Sequence, residues 1–268
     1  MPAKPKLGQN FLNDPQAAER IAASLGDLSG RTVVEIGPGQ GAITGALASR
    51  AARVLAVELD SAFAASLRGR FSPERVTVIE QDILHFDFAA AAAEAGAPLR
   101  VAGNLPYYIT SPILLKLAAG HAALDLAVLM VQREVADRVT AQPGSRDYGL
   151  LSVTVQLYGP AVSLFTLPPS AFSPPPQVHS TVFRWRFAPR FAELGIEPVA
   201  GTDFLRFVRH SFAQKRKTLA NNLRAAGISP AAVTTALVHA GIAPQVRAET
   251  LSLDSFATLW RALQPDAF

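Results

Sequence analysis

The chain has 268 residues, 49% of them hydrophobic and 17% charged, which provides for a packed core and excludes wholesale disorder. Its net charge is +4 with a pI near 9.7, and the absence of cysteine excludes a disulfide framework or a thiolate metal site. The best candidate for a membrane span, Leu124–Val131, is too short and contains Asp125, and Met1–Lys6 lacks the apolar stretch of a signal peptide, so we expect a soluble, cytoplasmic protein.

In chain order, the pattern predicts a short helix over 16–25 and a buried strand at 32–36 that ends in glycines. A helix over 42–51, a strand at 54–58, a helix over 61–71 and a strand at 76–79 follow. The alanine-rich stretch 89–97 is a helix or a loop that carries no chemistry. A fourth strand at 99–102 runs into a proline turn; then come a helix over 111–120, an apolar strand at 125–131 and a helix over 134–141. Two further strands are predicted at 152–158 and 181–187, either side of the proline-rich segment 167–177. Strands alternating with helices indicate an α/β fold with a parallel sheet covered on both faces. After Pro189 the pattern changes to helices alone, over 203–211, 214–225, 230–240 and 252–263. Two domains are expected, 1–189 and 198–268. From Pro198 onward there are eight Lys and Arg against four Asp and Glu, which accounts for the whole net charge. A polyanionic partner would engage this second part.

Glu35-Ile-Gly37-Pro-Gly39-Gln-Gly41 follows a strand and opens a helix. Its glycines permit a tight turn and a close backbone approach to a ligand. The spacing is G-x-G-x-G rather than the G-x-G-x-x-G of dinucleotide enzymes, which disfavours a nicotinamide dehydrogenase. Glu58, 21 residues after Gly37 at the end of the next strand, is suited to accept from both hydroxyls of a ribose. Asp82, after the third strand, is suited to accept from an adenine amino group. Singly, such features are often a plain turn or a solvated acid; at the ends of three successive strands they fit an adenosine-bearing ligand.

Asn104-Leu105-Pro106-Tyr107 follows the fourth strand. An exocyclic amine on a purine is a poor nucleophile, because its lone pair is delocalised into the ring. Two acceptors that hold its two N–H bonds turn that lone pair toward an electrophile; the Asn104 amide oxygen is one and the Leu105 carbonyl the natural other. Pro106 fixes the turn, and the Tyr107 ring offers a surface for stacking a base, with its hydroxyl unused. Taken alone, the tetrapeptide reads equally well as a proline turn capped by asparagine. The five histidines show no metal spacing, and His85 and His179 read as structural. Trp185 and Trp260 read as core, and Ser211 and Thr218 as cap or turn residues.

Over almost its whole length the chain resembles the small-subunit ribosomal RNA adenine N6,N6-dimethyltransferases, relatives of the erythromycin-resistance methyltransferases and of mitochondrial transcription factor B. Gly8-Gln-Asn-Phe-Leu12 is similar to the family's N-terminal cofactor motif, Glu35–Thr44 to its glycine motif, and Asn104-Leu-Pro-Tyr-Tyr-Ile109 to its catalytic motif. Phe172-Ser-Pro-Pro-Pro-Gln-Val178 is similar to a later motif whose ring lines the target-base pocket, and Phe212–Leu223 to a basic element of the small-subunit enzymes. The resemblance implies a Rossmann-like class I methyltransferase sheet with a small C-terminal all-helical, RNA-binding domain. It implies S-adenosylmethionine as cofactor, held by Asn10, Leu12, Gly37, Gly39, Glu58, Asp82 and Asn104. Catalysis would fall to Asn104, Leu105, Pro106, Tyr107 and Phe172, with no metal. The implied substrate is small-subunit (16S) ribosomal RNA or the immature subunit, at two adjacent adenosines of a hairpin loop, for a monomeric enzyme with a role in ribosome biogenesis. Lys215, Arg216 and Lys217 are candidates for RNA phosphate, as are Arg133 and Arg138. Two other readings stay open at this point: an adenine-N6 DNA methyltransferase, and a non-catalytic assembly or transcription factor on the same fold.

Overall fold

The computed structural model describes residues 10–263. They fall into two compact units. The first runs to Ala136 and resumes over Pro160–Phe187; the second takes Asp137–Gly159 and the described chain from Ala188 onward. The sequence boundary near 189–198 therefore lies close to one crossing, whereas 137–159 groups with the helices rather than with the sheet.

The first unit begins with β1 (Phe11–Leu12) and α1 (Pro15–Ser24). Asp14 caps α1 by accepting from the backbone N–H groups of Gln16 and Ala17, and Pro15 takes the first helical position, where no N–H is needed. Then follow β2 (Thr32–Ile36), α2 (Thr44–Ala48), β3 (Arg53–Glu58), α3 (Ser61–Arg70) and β4 (Val76–Glu80). α4 (Phe88–Ala95) starts on an Asp87 cap and stops at Gly96, whose φ of 67° is the left-handed end that glycine permits. β5 (Leu99–Asn104), α5 (Thr110–Ala119) and β6 (Leu124–Gln132) complete the parallel part. α6 (Arg133–Thr140) and α7 (Leu150–Tyr158) precede the last strands, β7 (Ala161–Leu167), β8 (Phe172–Ser173) and β9 (Ser180–Arg186).

Seven strands form one sheet in the order β4-β3-β2-β5-β6-β9-β7. The first five are parallel, and β9 and β7 are antiparallel to their neighbours. Valine, leucine and alanine dominate β2, β3, β5 and β6 because helices cover both faces of this part of the sheet. From β2 the chain moves outward through β3 and β4, then returns to the other side of β2 as β5. The carboxyl ends of β2 and β5 thus flank a topological switch point, where open α/β sheets leave a crevice. β1 and β8 pair separately, as a two-stranded strap with Leu12 opposite Phe172.

In the second unit, α8 (Phe191–Leu194), α9 (Gly201–Ser211), α10 (Leu219–Ala225), α11 (Pro230–His239) and α12 (Leu253–Leu263) join α7. Phe204, Phe207, Phe256 and Trp260 make its centre, with ring centroids 5.6–6.2 Å apart. Trp185 is fully buried in the first unit, so both tryptophans are core.

Three expectations are corrected. Residues 152–158 are helix, not strand: α7 is buried along nearly its whole length, so its β-branched composition reflects a core environment rather than a pleated one. Thr154 tolerates the helix by donating its hydroxyl to the Leu150 carbonyl. Strand β7, beginning just after the predicted one, was not expected. The helix predicted over 214–225 begins only at Leu219, where Thr218 caps it by accepting from the Asn221 N–H. The buried Asn222 amide donates to the carbonyls of Ser211 and Gln214, and this holds 212–217 as a turn.

Candidate active site at the switch point of the sheet

The turn after β2 places Gly37, Gly39 and Gly41 at φ of 60°, 53° and 77°. At Gly39 the requirement is twofold, since a Cβ would lie 2.9 Å from the Phe11 ring as well as in a left-handed backbone. Glu58, 4% exposed at the end of β3, accepts from the Gly39 N–H through Oε2 and from the Asp60 N–H through Oε1, both at 2.9 Å. Its carboxylate thus fixes the glycine turn and keeps further lone pairs for a ligand. Asp82 follows β4 and accepts from the Leu84 N–H at 2.9 Å, with its side chain one-third exposed.

Asn104 ends β5. Its Nδ2 donates to the Asn10 carbonyl at 2.9 Å, which leaves Oδ1 as the free acceptor of the amide. The Leu105 N–H donates to the Met130 carbonyl of β6, and the Pro106 carbonyl accepts from the Thr110 hydroxyl and the Ile109 N–H. The backbone of the catalytic motif is therefore tied on both sides. The Tyr107 hydroxyl lies 3.3 Å from that of Ser180.

A cavity of about 410 Å³ opens among these groups, a size suited to a nucleoside-sized ligand. Of the expected residues, the structure brings Asn10, Gly37, Gly39, Glu58 and Asp82 to it together with Asn104, Leu105, Pro106 and Tyr107. Leu12 lines a smaller cavity of about 30 Å³ that shares Phe11, Gly37 and Asn104 with the first. Phe172 is not brought to either: its ring is 3% exposed in the hydrophobic core and its backbone serves the strap. Gly8 and Gln9 of the N-terminal motif lie outside the described residues. Lys215, Arg216 and Lys217 are exposed in the turn before α10, not on a helix, with the Lys215 ammonium donating to the Arg146 carbonyl. Arg133 is exposed at the carboxyl end of β6, the same end as Asn104, and Arg138 lies in the second unit.

The sequence reading missed Phe11, Leu59, Tyr108 and the role of Glu35. Phe11 stacks edge-on against Phe63 at 5.2 Å and roofs Gly39. Leu59 and Tyr108 are more than half exposed at the cavity wall, and apolar residues beside the acid and beside the catalytic motif were the available signal. Glu35 lines the smaller cavity and is fully buried; burial pushes its carboxyl up to about 7, and the Glu58 charge adds to the shift. Neither Glu35 Oε2 nor the Thr44 hydroxyl reaches a hydrogen-bond partner.

The profile of the family described as ribosomal RNA adenine dimethylase matches residues 2–264. The chain belongs to that family. Ribosomal RNA small subunit methyltransferase A of Acidobacterium capsulatum is 59% identical over 97% of this chain and 91% of the relative. The protein of the same description from Koribacter versatilis is 50% identical over 97% and 94%. Among solved structures, the 23S rRNA methyltransferase ErmE superposes with a TM-score of 0.72 at 26% identity, covering 96% of this chain and all of that one. A dimethyladenosine transferase from Plasmodium falciparum, at 22% identity and a TM-score of 0.73 over 93% and 95%, shares the fold. The dimethylase is thus an enzyme on a class I methyltransferase sheet, and the DNA methyltransferase and non-catalytic readings are not favoured.

The family implies a methyl donor of the S-adenosylmethionine type, and the residues fit one. The glycine turn is a cradle that a Cβ at Gly39 would fill, the Glu58 carboxylate keeps acceptors for ribose, and Glu35 is a buried acid lacking a partner for Oε2.

Glu35 yields a first expected result. Without ligand, its raised affinity for a proton stabilises the folded state fully below about pH 4.5, and this contribution is lost as the pH rises through about 7. The melting temperature of the wild type should fall by several degrees relative to Glu35→Gln between pH 5 and pH 8. Parallel curves for the two proteins across that window would show that Glu35 does not titrate there.

Proposed function

We propose that the dimethylase places two methyl groups on N6 of each of two adjacent adenosines in a hairpin loop of small-subunit ribosomal RNA, drawing them from S-adenosylmethionine. The observation that carries this reading is the Asn104 amide: Nδ2 is held by the Asn10 carbonyl, and the residue lines the same cavity as Glu58 and Asp82, so that Oδ1 is the part of the amide left for a substrate. Bound there, the cofactor supplies an electrophilic methyl group on a sulfonium. Glu58 would accept from its ribose hydroxyls, Asp82 from its adenine amino group, and Glu35 would face its ammonium. Asn104 Oδ1 and the Leu105 carbonyl each accept one N–H of the target amine, which turns the nitrogen lone pair out of conjugation. The Tyr107 ring stacks on the target base. Positioning and charge placement carry the step, and the proton released from N6 passes to solvent without a prior side-chain base. After the first transfer one N–H remains, so a single acceptor together with stacking holds the base for the second.

Labelled methyl transfer to unmethylated small subunits, naked RNA and DNA, followed by nucleoside analysis, tests the reading. N6,N6-dimethyladenosine should appear in the subunits and not in DNA; label in DNA or on another base would overturn it.

The exposed turn at 215–217 is proposed to touch RNA phosphate, together with Arg133 and Arg138. Neutralising Lys215, Arg216 and Lys217 together should weaken RNA binding and flatten its salt dependence by about one slope unit for each phosphate contact. Cofactor affinity should not change. An unaltered salt slope would make these three a solvated turn.

A further inference from the structure

Ser180 opens β9 and is fully buried, with Gln132 of β6 opposite it on one side and Leu167 of β7 on the other. Its hydroxyl points at that of Tyr107, 3.3 Å away, across 73 positions of sequence. The next residue, Thr181, turns its hydroxyl to Thr166 of β7 instead, so two adjacent hydroxyls serve opposite sides of the strand. Tyr107 sits in a single 3₁₀ turn, Tyr107–Ile109, that begins without a side-chain cap. A ring on so short an element has little local restraint, and its hydroxyl is the far end by which its plane can be set. The antiparallel strand, by contrast, is hydrogen-bonded along both edges.

We propose that Ser180 is a positioning residue for base capture: its hydroxyl holds the Tyr107 ring in the plane on which the target adenine stacks. This rests on the stacking role given above to Tyr107. Donor and acceptor are interchangeable between two hydroxyls, so the link needs neither side chain to be charged. It also ties the strand that follows the Phe172–Val178 motif to the catalytic motif, whereas the Phe172 ring itself lies in the core.

The test uses the full chain with unmethylated small subunits, and RNA carrying 2-aminopurine at the target position as a fluorescent report of the extruded base. Ser180→Ala and Tyr107→Phe should each slow single-turnover methylation and raise KM for RNA by about 3- to 10-fold, the range set by one hydrogen bond. Cofactor affinity should stay at the wild-type value. The double variant should be no worse than either single one, because both remove the same link. Ser180→Thr, which keeps the hydroxyl, should recover most of the rate, and the 2-aminopurine signal should drop in Ser180→Ala alone of those two. Ser180→Ala at the wild-type rate, or a double variant whose loss is the product of the single losses, would overturn the proposal. A coupling visible in melting temperature but absent from rate and fluorescence would also overturn it, by making the bond merely structural. Tyr107→Ala separates the two layers: full activity there removes the stacking role itself, whereas a loss there beside an unaffected Ser180→Ala removes only the anchor.

Discussion

Asn104→Ala should yield a folded protein that binds RNA and cofactor yet transfers methyl groups about 10²–10³-fold more slowly in a single turnover. The amide oxygen interacts most strongly as the target nitrogen becomes pyramidal, so its loss falls on the chemical step rather than on binding. The alanine also frees the Asn10 carbonyl, which is part-buried beside the cavity, and the strap then loses one of its ties. Two others remain, the Asn13 N–H to the Ala171 carbonyl and the seating of Phe11 on Gly39 and Phe63. Cofactor affinity should therefore fall far less than the rate. Asn104→Asp is the sharper companion: it places a carboxylate oxygen against the Asn10 carbonyl, and both activity and cofactor affinity should drop. A wild-type single-turnover rate in folded Asn104→Ala would remove the catalytic assignment. A parallel loss of melting temperature and activity would return the motif to a structural turn.

Glu58→Ala should weaken cofactor binding by roughly 10- to 100-fold, corresponding to about 1–3 kcal/mol of lost hydrogen bonding to a polar ligand. Geometry adds a second effect that carboxylate chemistry alone does not suggest. The side chain accepts from the Gly39 and Asp60 N–H groups, so alanine leaves a buried donor in the glycine turn without its partner. Stability should fall by about 1–3 kcal/mol as well. Glu58→Gln keeps one side-chain oxygen for that turn and should recover much of the stability while binding cofactor poorly. Calorimetry on the folded glutamine variant decides the matter: affinity equal to wild type would take the ribose role from Glu58.

The parallel half of the fold was legible because its strands are buried on both faces and read as short apolar runs cut by glycine or by a single acid. Strand β2 falls where the pattern puts it, and Glu58, Asp82 and Asn104 each come at the end of a strand, as α/β sheets require of a ligand site. Residues 152–158 were illegible for the opposite reason: a helix buried on all sides loses the 3.6-residue alternation that identifies one, and Val153 with Val155 mimics a strand. The basic turn was misread because its conformation is set by Asn222, a buried amide several residues on, and no local propensity reports such a bond. The motif resemblance located Phe172 but not its surroundings, since whether a ring faces a cavity or the core depends on the strap that pairs it with Leu12. Glu35 stood in plain view within the glycine motif. Its burial became apparent only when β2 was seen between β3 and β5.

The helical unit is assembled from two stretches of chain separated by three strands. Helix α7 belongs to the first stretch and packs on α9 and α12 of the second. The Ala188 and Arg190 N–H groups donate to the Tyr158 and Leu157 carbonyls at its end, and Tyr158 meets Phe191 at 5.4 Å. A stop codon near position 188 would thus not release a tidy catalytic domain. It would leave α7 with its apolar surface bare in the middle of the remaining polypeptide, a target for aggregation and proteolysis. The two halves of this protein cannot be inherited, expressed or lost independently by a single cut, and recombination that exchanges the helical part must carry 137–159 along with the tail.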